Sequence, residues 1–428
     1  MSAKRKQAIG LALAGGGPLG AIYEIGALAA LQESLIGVDF ADCDVYVGVS
    51  AGAFVSAGLA NGMTPRDLCA KFIESEDHDD PFEPDVLMRP ALAEFARRLA
   101  RIPQLAIAGV AAYVDRSGDT FTPRGFFEAF ERLTAALPNG VFDNAAMAEY
   151  LARQFSRPGR TNDFRELKHP LYIVATDLDA AKAVTFGAPG FDDVPISEAI
   201  KASSALPGLF PPAHIRGRDY VDGALKKTLH ASVALKAGVK LLFCVNPLTT
   251  FDADAGRRAG RRVRLSQEGL LTVMSQTFRA LIQSRMRVGL NRYAHEFPDA
   301  DIVLFEPAHQ DAQIFFANIF SYADRRRLAE HAYSHTRSEL RRRADELDAI
   351  LSRHGVSIDR ASLADPDRKL LAATPRRARG LAVEAKRLEN ALGRLDHALK
   401  QGAHERNDAS SPGRMRKRHG GEAEKAHA

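Results

Sequence analysis

Short apolar runs separated by longer amphipathic intervals dominate the first three quarters of the chain. Runs at Ala8–Ala14, Asp44–Val49, Leu171–Thr176, Val184–Phe186, Asp219–Val221, Leu241–Val245 and Ile302–Phe305 have the length and composition of strands. The intervals carry helical periodicity, as in Ile22, Ile25, Leu28 and Ala29, or across Pro123–Leu137 and Asn144–Phe155. Strands alternating with helices predict an α/β fold, with a mostly parallel central sheet covered by helices on both faces. In such sheets ligands bind outside the carboxyl ends of the strands, which is where Gly15–Gly17 and Ser50 fall.

The pattern changes after about residue 323. Leu340, Ala344, Leu347 and Leu351 make one apolar stripe, and Leu381, Ala385, Leu388, Leu392, Leu395 and Leu399 make another, with Pro366 and Pro375 between them. Two amphipathic helices are expected over 324–400, as a hairpin, docked on the preceding domain, or in a dimer. Residues 401–428 are polar, show no apolar pattern and read as a disordered tail. Asp252–Arg262 is a polar, glycine-broken loop. Leu105–Val114 is apolar but too short for a membrane span, and reads as a buried helix or as a lid that meets a lipid surface. Phe315, Phe316, Ile319 and Phe320 form a further apolar face, for core packing or an acyl channel.

Ser50 carries the strongest chemical signal. It sits in Gly48-Val49-Ser50-Ala51-Gly52 directly after a strand, the arrangement that holds a serine hydroxyl out on a tight strand-to-helix turn. Upstream, Gly15-Gly16-Gly17-Pro18-Leu19-Gly20 joins a strand to a helix. The unpaired N–H groups and helix dipole of such a loop favour negative charge, whether a phosphate or the oxyanion of a tetrahedral intermediate. The glycine spacing also fits a dinucleotide site, with Asp39 some way beyond Gly20. A ribose-binding acid belongs at the carboxyl end of the second strand, however. Asp39 and Asp44 precede that strand's apolar residues, and its carboxyl end carries Ser50.

Downstream, Ala202-Ser203-Ser204-Ala205-Leu206-Pro207-Gly208-Leu209-Phe210-Pro211-Pro212 precedes a short strand ending in Asp222-Gly223-Ala224. With these four motifs in order over residues 8–224, the chain resembles the patatin-like phospholipase family. The resemblance implies a three-layer fold of the α/β-hydrolase type, with a catalytic domain over 8–323 and its core motifs in 11–235. It implies a phospholipase A or lipid esterase using a Ser–Asp dyad: Ser50 as nucleophile, Asp222 as general base, and Gly15, Gly16 and Gly17 as the oxyanion hole, with Gly20, Gly48, Gly52 and Gly223 completing the motifs. The family loop commonly has Arg or Lys before its final glycine, whereas this chain has Leu19. Two other readings are a Ser–His–Asp carboxylesterase, with His230 the first histidine after Asp222, and a non-catalytic lipid-binding or membrane-scaffolding protein. The intact Ser50, Asp222 and glycine loop argue against the latter.

Composition bounds these expectations. At 428 residues, 46% hydrophobic and 26% charged, the chain can bury a full core. Cys43, Cys69 and Cys244 are too scattered for a disulfide framework and read as core thiols; the histidines lack zinc spacing, so no metal or other cofactor is expected. Basic residues precede Ala8–Ala14 as in a leader peptide, yet this run leads straight into the glycine loop and reads as a strand of a cytoplasmic protein. Residues 376–428 hold 13 Lys and Arg against 7 Asp and Glu, a net of +6 in a chain whose total is +5. The Arg414, Arg416, Lys417 and Arg418 cluster suits peripheral contact with an anionic membrane, while a nucleic-acid partner is not expected.

Overall fold

The computed structural model describes residues 7–74, 89–90, 140, 142–227, 229–250, 265–267, 270–308, 322–365 and 367–371. The sequence expectations at 105–114, 123–137, 252–262, 315–320, 381–399 and 401–428 lie outside the described residues. The chain divides into a unit Met1–Leu370 and a second, Leu371–Ala428. The central sheet and its helices belong to the first unit.

Eight strands build the central sheet: β1 (Ile9–Leu13), β2 (Val45–Gly48), β3 (Leu171–Asp177), β4 (Lys182–Phe186), β5 (Ala213–Ile215), β6 (Arg218–Asp222), β7 (Leu241–Val245) and β8 (Asp301–Phe305). Strands β8, β7, β1, β2 and β3 run parallel in that order. The antiparallel strands β4, β6 and β5 complete one side. The apolar runs were legible because parallel strands covered on both faces carry little alternation. Ala12, Val45, Val47, Val174, Leu242 and Cys244 enter one core, while the intervening Leu11, Leu13, Tyr46, Ile173 and Phe243 are buried as well. Strand β5 has only three residues between a Pro-Pro pair and a two-residue turn, and no sequence pattern marks it.

The register of β3 explains how the sheet makes a site. Its residues Leu171–Ile173 pair with β2, and the following Ala175–Asp177 pair with β6, while β4 pairs with Ile173–Asp177 from the other side. Strand β6 therefore occupies the edge that β2 vacates when it ends at Gly48. Gly48 lies opposite Ile173 and Asp222 opposite Ala175. The chain leaving β2 as Val49-Ser50 is thus delivered beside Asp222.

Among the described residues the helices of six residues or more are α1 (Gly17–Ser34), α2 (Ala51–Ala60), α3 (Ala145–Phe155), α4 (Ile196–Ser203), α5 (Ala231–Lys236), α6 (Leu270–Glu296), α7 (Tyr322–Arg342) and α8 (Ala344–Leu351). Helices α5 and α6 cover one face of the sheet through Ala231, Ala234, Leu235, Met286 and Tyr293. Helix α2 packs on β1, β2 and β3 and meets α1. Helix α7 lies along α1, tied by the Tyr333 hydroxyl to Glu33 at 2.7 Å. The first C-terminal stripe is divided between α7 and α8 at Arg343, with Leu340, Leu347 and Leu351 all buried. Ser357–Ile358 adds a short antiparallel pairing with Leu35–Ile36.

Candidate active site

Ser50 connects β2 to α2 at φ 53 and ψ −120, a left-handed conformation that a residue with a Cβ adopts at a cost of about 1–3 kcal/mol. The surrounding backbone explains why it persists. Gly52 donates its N–H to Ala14 O at 3.1 Å, so the helix start is pulled onto the end of β1. A Cβ at Gly52 would lie 2.5 Å from the Leu13 carbonyl, and one at Gly48 would lie 2.5 Å from Ala53 Cα. The Gly-x-Ser-x-Gly spacing is thus a packing requirement of this turn.

The glycine loop lies directly against the serine. A Cβ at Gly15 would sit 3.1 Å from Ser50 Cβ and 3.7 Å from Ser50 Oγ. Gly16 packs on Pro247 and accepts the Gly20 N–H through its carbonyl at 3.0 Å. Gly17 is exposed, at φ 60, and opens α1 with Pro18 in the first turn. Among the described residues, none accepts a hydrogen bond from the amides of Gly15, Gly16, Gly17 or Ala51. These are the orphan donors expected where strands give way to helix N-termini.

Asp222 faces the serine from the end of β6. The Ser50 hydroxyl lies near enough to its carboxylate to pull the pKa down, and its Oδ1 accepts the Ala224 N–H at 2.8 Å. Ser50 and Asp222 are both buried. Burial pushes the Asp222 carboxyl up to about 6, against the opposing pull of the Ala224 N–H and the nearby Ser50 hydroxyl. The acid's backbone is held by its own N–H to Ala205 O at 3.0 Å and by Thr176 Oγ1 to its carbonyl at 3.2 Å. Gly223 follows with its Cα against the Val174 carbonyl.

Ser203, which the sequence pattern left without a role, joins the two halves. Its Oγ accepts the Ser50 N–H at 2.8 Å and donates to Val174 O at 2.6 Å. The small-residue stretch at the end of α4 therefore fixes Ser50 through Ser203 and Asp222 through Ala205. Its place inside Ala202–Pro212 was the available signal.

Among the described residues, no histidine takes part in this network. His230 is buried at the start of α5 and donates from Nε2 to Gly223 O at 3.3 Å. Burial lowers its pKa to about 4, leaving it neutral. His169 pairs with Asp42 and His214 with Asp219, near the protein surface. Cys43, Cys69 and Cys244 are buried thiols in no disulfide, and burial pushes the Cys69 and Cys244 thiols up to about 12. Among the described residues no three His, Cys, Asp or Glu side chains converge to hold a metal ion.

Residues 11–235 match the family model of the patatin-like phospholipases. The chain belongs to this family. An NTE family protein of Mycobacterium tuberculosis, described as uncharacterised, is 25% identical over 250 residues, which are 58% of this chain and 32% of that protein. The chain thus matches about a third of the length of its mycobacterial relative. Among solved structures, VipD from Legionella pneumophila is 15% identical with a TM-score of 0.33, covering 78% of this chain and 66% of that one. The type III effector protein ExoU gives 15% and 0.33, covering 79% and 53%. The patatin-like assignment makes lipid acyl hydrolysis the general chemistry of the family to which this site belongs. No helix among the described residues is long and apolar enough to cross a membrane.

Proposed function

We infer that the protein is a lipid acyl hydrolase in which Ser50 and Asp222 form a two-residue catalytic device. The observation that carries this reading is the buried Ser50 hydroxyl set beside the buried Asp222 carboxylate and against Gly15, with glycine amides that find no acceptor among the described residues. An ordinary aspartate, with a pKa near 3.9, is a poor base for an alcohol. Raising the carboxyl to about 6 narrows that gap while leaving the charged form dominant at neutral pH.

In the first half-reaction Ser50 Oγ attacks the carbonyl carbon of an acyl ester as its proton passes to Asp222. The carbonyl oxygen becomes an oxyanion, which the amides of Gly15, Gly16 and Gly17 receive; each such donor is worth about a hundredfold or more in rate. Collapse of the intermediate breaks the ester C–O bond, and Asp222 returns the proton to the departing alkoxide. A water then gives its proton to Asp222 and attacks the acyl-serine, releasing a fatty acid and restoring the Ser50 hydroxyl with the returned proton. Leu19 puts an apolar side chain where a cation would add charge to the loop, so the backbone amides supply the donors there.

The test is a panel of phospholipids, lysophospholipids and acylglycerols incubated with wild type and Asp222→Asn, with released fatty acid quantified. Wild type is expected to release fatty acid from at least one lipid, and Asp222→Asn to be slower by about a hundredfold to ten-thousandfold, the range of general-base catalysis. Wild type that cleaves none of the panel, or an Asp222→Asn protein of undiminished rate, would overturn the reading.

A further inference from the structure

Gly15, Gly16 and Gly17 have no side chains to anchor them, and glycine backbone is permissive in φ and ψ. A loop of this kind keeps its amides aimed only if the surrounding fold holds it. Pro247, buried in the turn that leaves β7, lies against it. A Cβ at Gly16 would sit 2.7 Å from Pro247 Cγ, and one at Gly20 would sit 3.0 Å from the same atom. Gly16 and Gly20 are joined by the Gly20 N–H donating to Gly16 O at 3.0 Å. The pyrrolidine ring therefore braces the loop and the first turn of α1 together.

Pro247 is itself held from behind. Asn246 is fully buried, and its Oδ1 accepts the Leu248 N–H at 3.1 Å, closing an Asx turn around the proline. Its Nδ2 donates to Leu248 O at 3.4 Å and to Glu306 Oε2 at 3.3 Å. The Asn246 N–H donates to Phe305 O at 2.9 Å, so the turn stays attached to the end of β8. His335 of α7 donates from Nε2 to the Glu306 carbonyl at 3.2 Å, and Arg279 of α6 donates to Thr249 O at 3.2 Å. All of these residues lie beyond residue 235, where the match to the family model ends.

We propose that Asn246 and Pro247 are positioning residues for the glycine loop: Asn246 sets the turn, and the Pro247 ring holds Gly15–Gly17 with their amides aimed at the developing oxyanion. The proposal rests on the reading of that loop as the oxyanion hole, and adds what keeps it in place. Donors aimed in advance act on the charge of the transition state and hardly on the neutral ester. Slackening the loop therefore belongs in kcat and not in KM. A proline that only filled the core would change stability and leave kcat alone.

The experiment is a size exchange across this contact in the full chain, read by hydrolysis of p-nitrophenyl butyrate and by thermal melting. Pro247→Ala is expected to lower kcat by about tenfold or more with KM within about twofold of wild type. Gly20→Ala alone would meet Pro247 Cγ at 3.0 Å and should lower kcat as well. In the double variant the new methyl faces the remaining Cβ at 3.6 Å and Ala51 Cβ at 3.9 Å, ordinary contacts, so most of the lost kcat should return. Asn246→Ala should behave like Pro247→Ala, and joining the two should cost little more, since both act through one contact. Leu347→Ala, in the buried face of α8, is the control: it should melt earlier with kcat unchanged. Full kcat in Pro247→Ala, no recovery in the double variant, or an equal loss in Leu347→Ala would each overturn the proposal. Hydrogen exchange over Gly15–Gly20, read by mass spectrometry, follows the contact without catalysis; Pro247→Ala should speed it and the double variant restore it. Unchanged exchange in Pro247→Ala would also overturn the proposal. A wild type inert toward esters whose exchange follows this pattern would strike the functional reading and leave the brace standing.

Discussion

Asp222 and His230 lie close together along the chain, and burial moves them in opposite directions, the acid up to about 6 and the imidazole down to about 4. This separation makes the base identifiable from pH alone. A base works only when unprotonated, so turnover of a soluble ester should fall as pH drops through about 6 if Asp222 serves. The acid limb would sit near 4 if His230 did. A kcat/KM profile between about pH 3.5 and 8, in steps of roughly half a unit, distinguishes them. Ser203 offers a second test at this scale. Replacing it with alanine leaves the Ser50 N–H and the Val174 carbonyl unpaired in the core, at about 1–3 kcal/mol for each group. Ser203→Ala is expected to lower the melting temperature and to lower kcat about tenfold with KM little changed, and Ser203→Thr, which keeps the hydroxyl, to recover most of both. A stable Ser203→Ala enzyme of full kcat would show the bond to be idle. Ser50 and Asp222 were legible because local motifs announce them. Ser203 was not, since its partner's amide lies 153 residues away and only folding selects it.

Helix α1 is buried nearly all round, packed against α7 and α2, and it carries Glu24 with 0% exposure. Among the described residues neither carboxyl oxygen meets a well-formed hydrogen-bond partner, and burial raises its pKa well above the usual carboxylate value, the nearby Ala14 backbone N–H offsetting this only in part. The folded state therefore keeps the proton that the unfolded chain gives up in the ordinary carboxylate range. Its contribution to stability is full below the unfolded pKa and is lost as pH rises toward the folded one. Glu24→Gln should match wild type near pH 4 and melt several degrees higher at pH 8, as thermal denaturation at the two pH values would show. A variant less stable than wild type at pH 8 would mean that the carboxyl has a partner there. The strands before and after α1 were readable as apolar runs, as were the loop and the elbow. Glu24 was not, because one acid in an apolar helix looks the same whether it faces solvent or core. The relay of β2 and β6 along one edge of β3 was equally hidden: the pairing of Ala175 with Asp222 leaves no mark in the local pattern of either strand.

At the scale of the whole molecule, a parallel sheet brings two strand ends together and an antiparallel return completes the site. In the proposed reading the oxyanion donors come from the first crossing, the nucleophile from the second, and the acid from the return. This division explains why four motifs spread over residues 8–224 act as one signature. Every part of the device converges on a single hydroxyl. The most direct measurement is therefore covalent labelling by a fluorophosphonate, followed by peptide mapping, on wild type, Ser50→Ala and Asp222→Asn. Wild type should be labelled at Ser50, Ser50→Ala should not be labelled at all, and Asp222→Asn should be labelled about a hundredfold more slowly or worse. Label that persists in Ser50→Ala on a different serine would contradict the account.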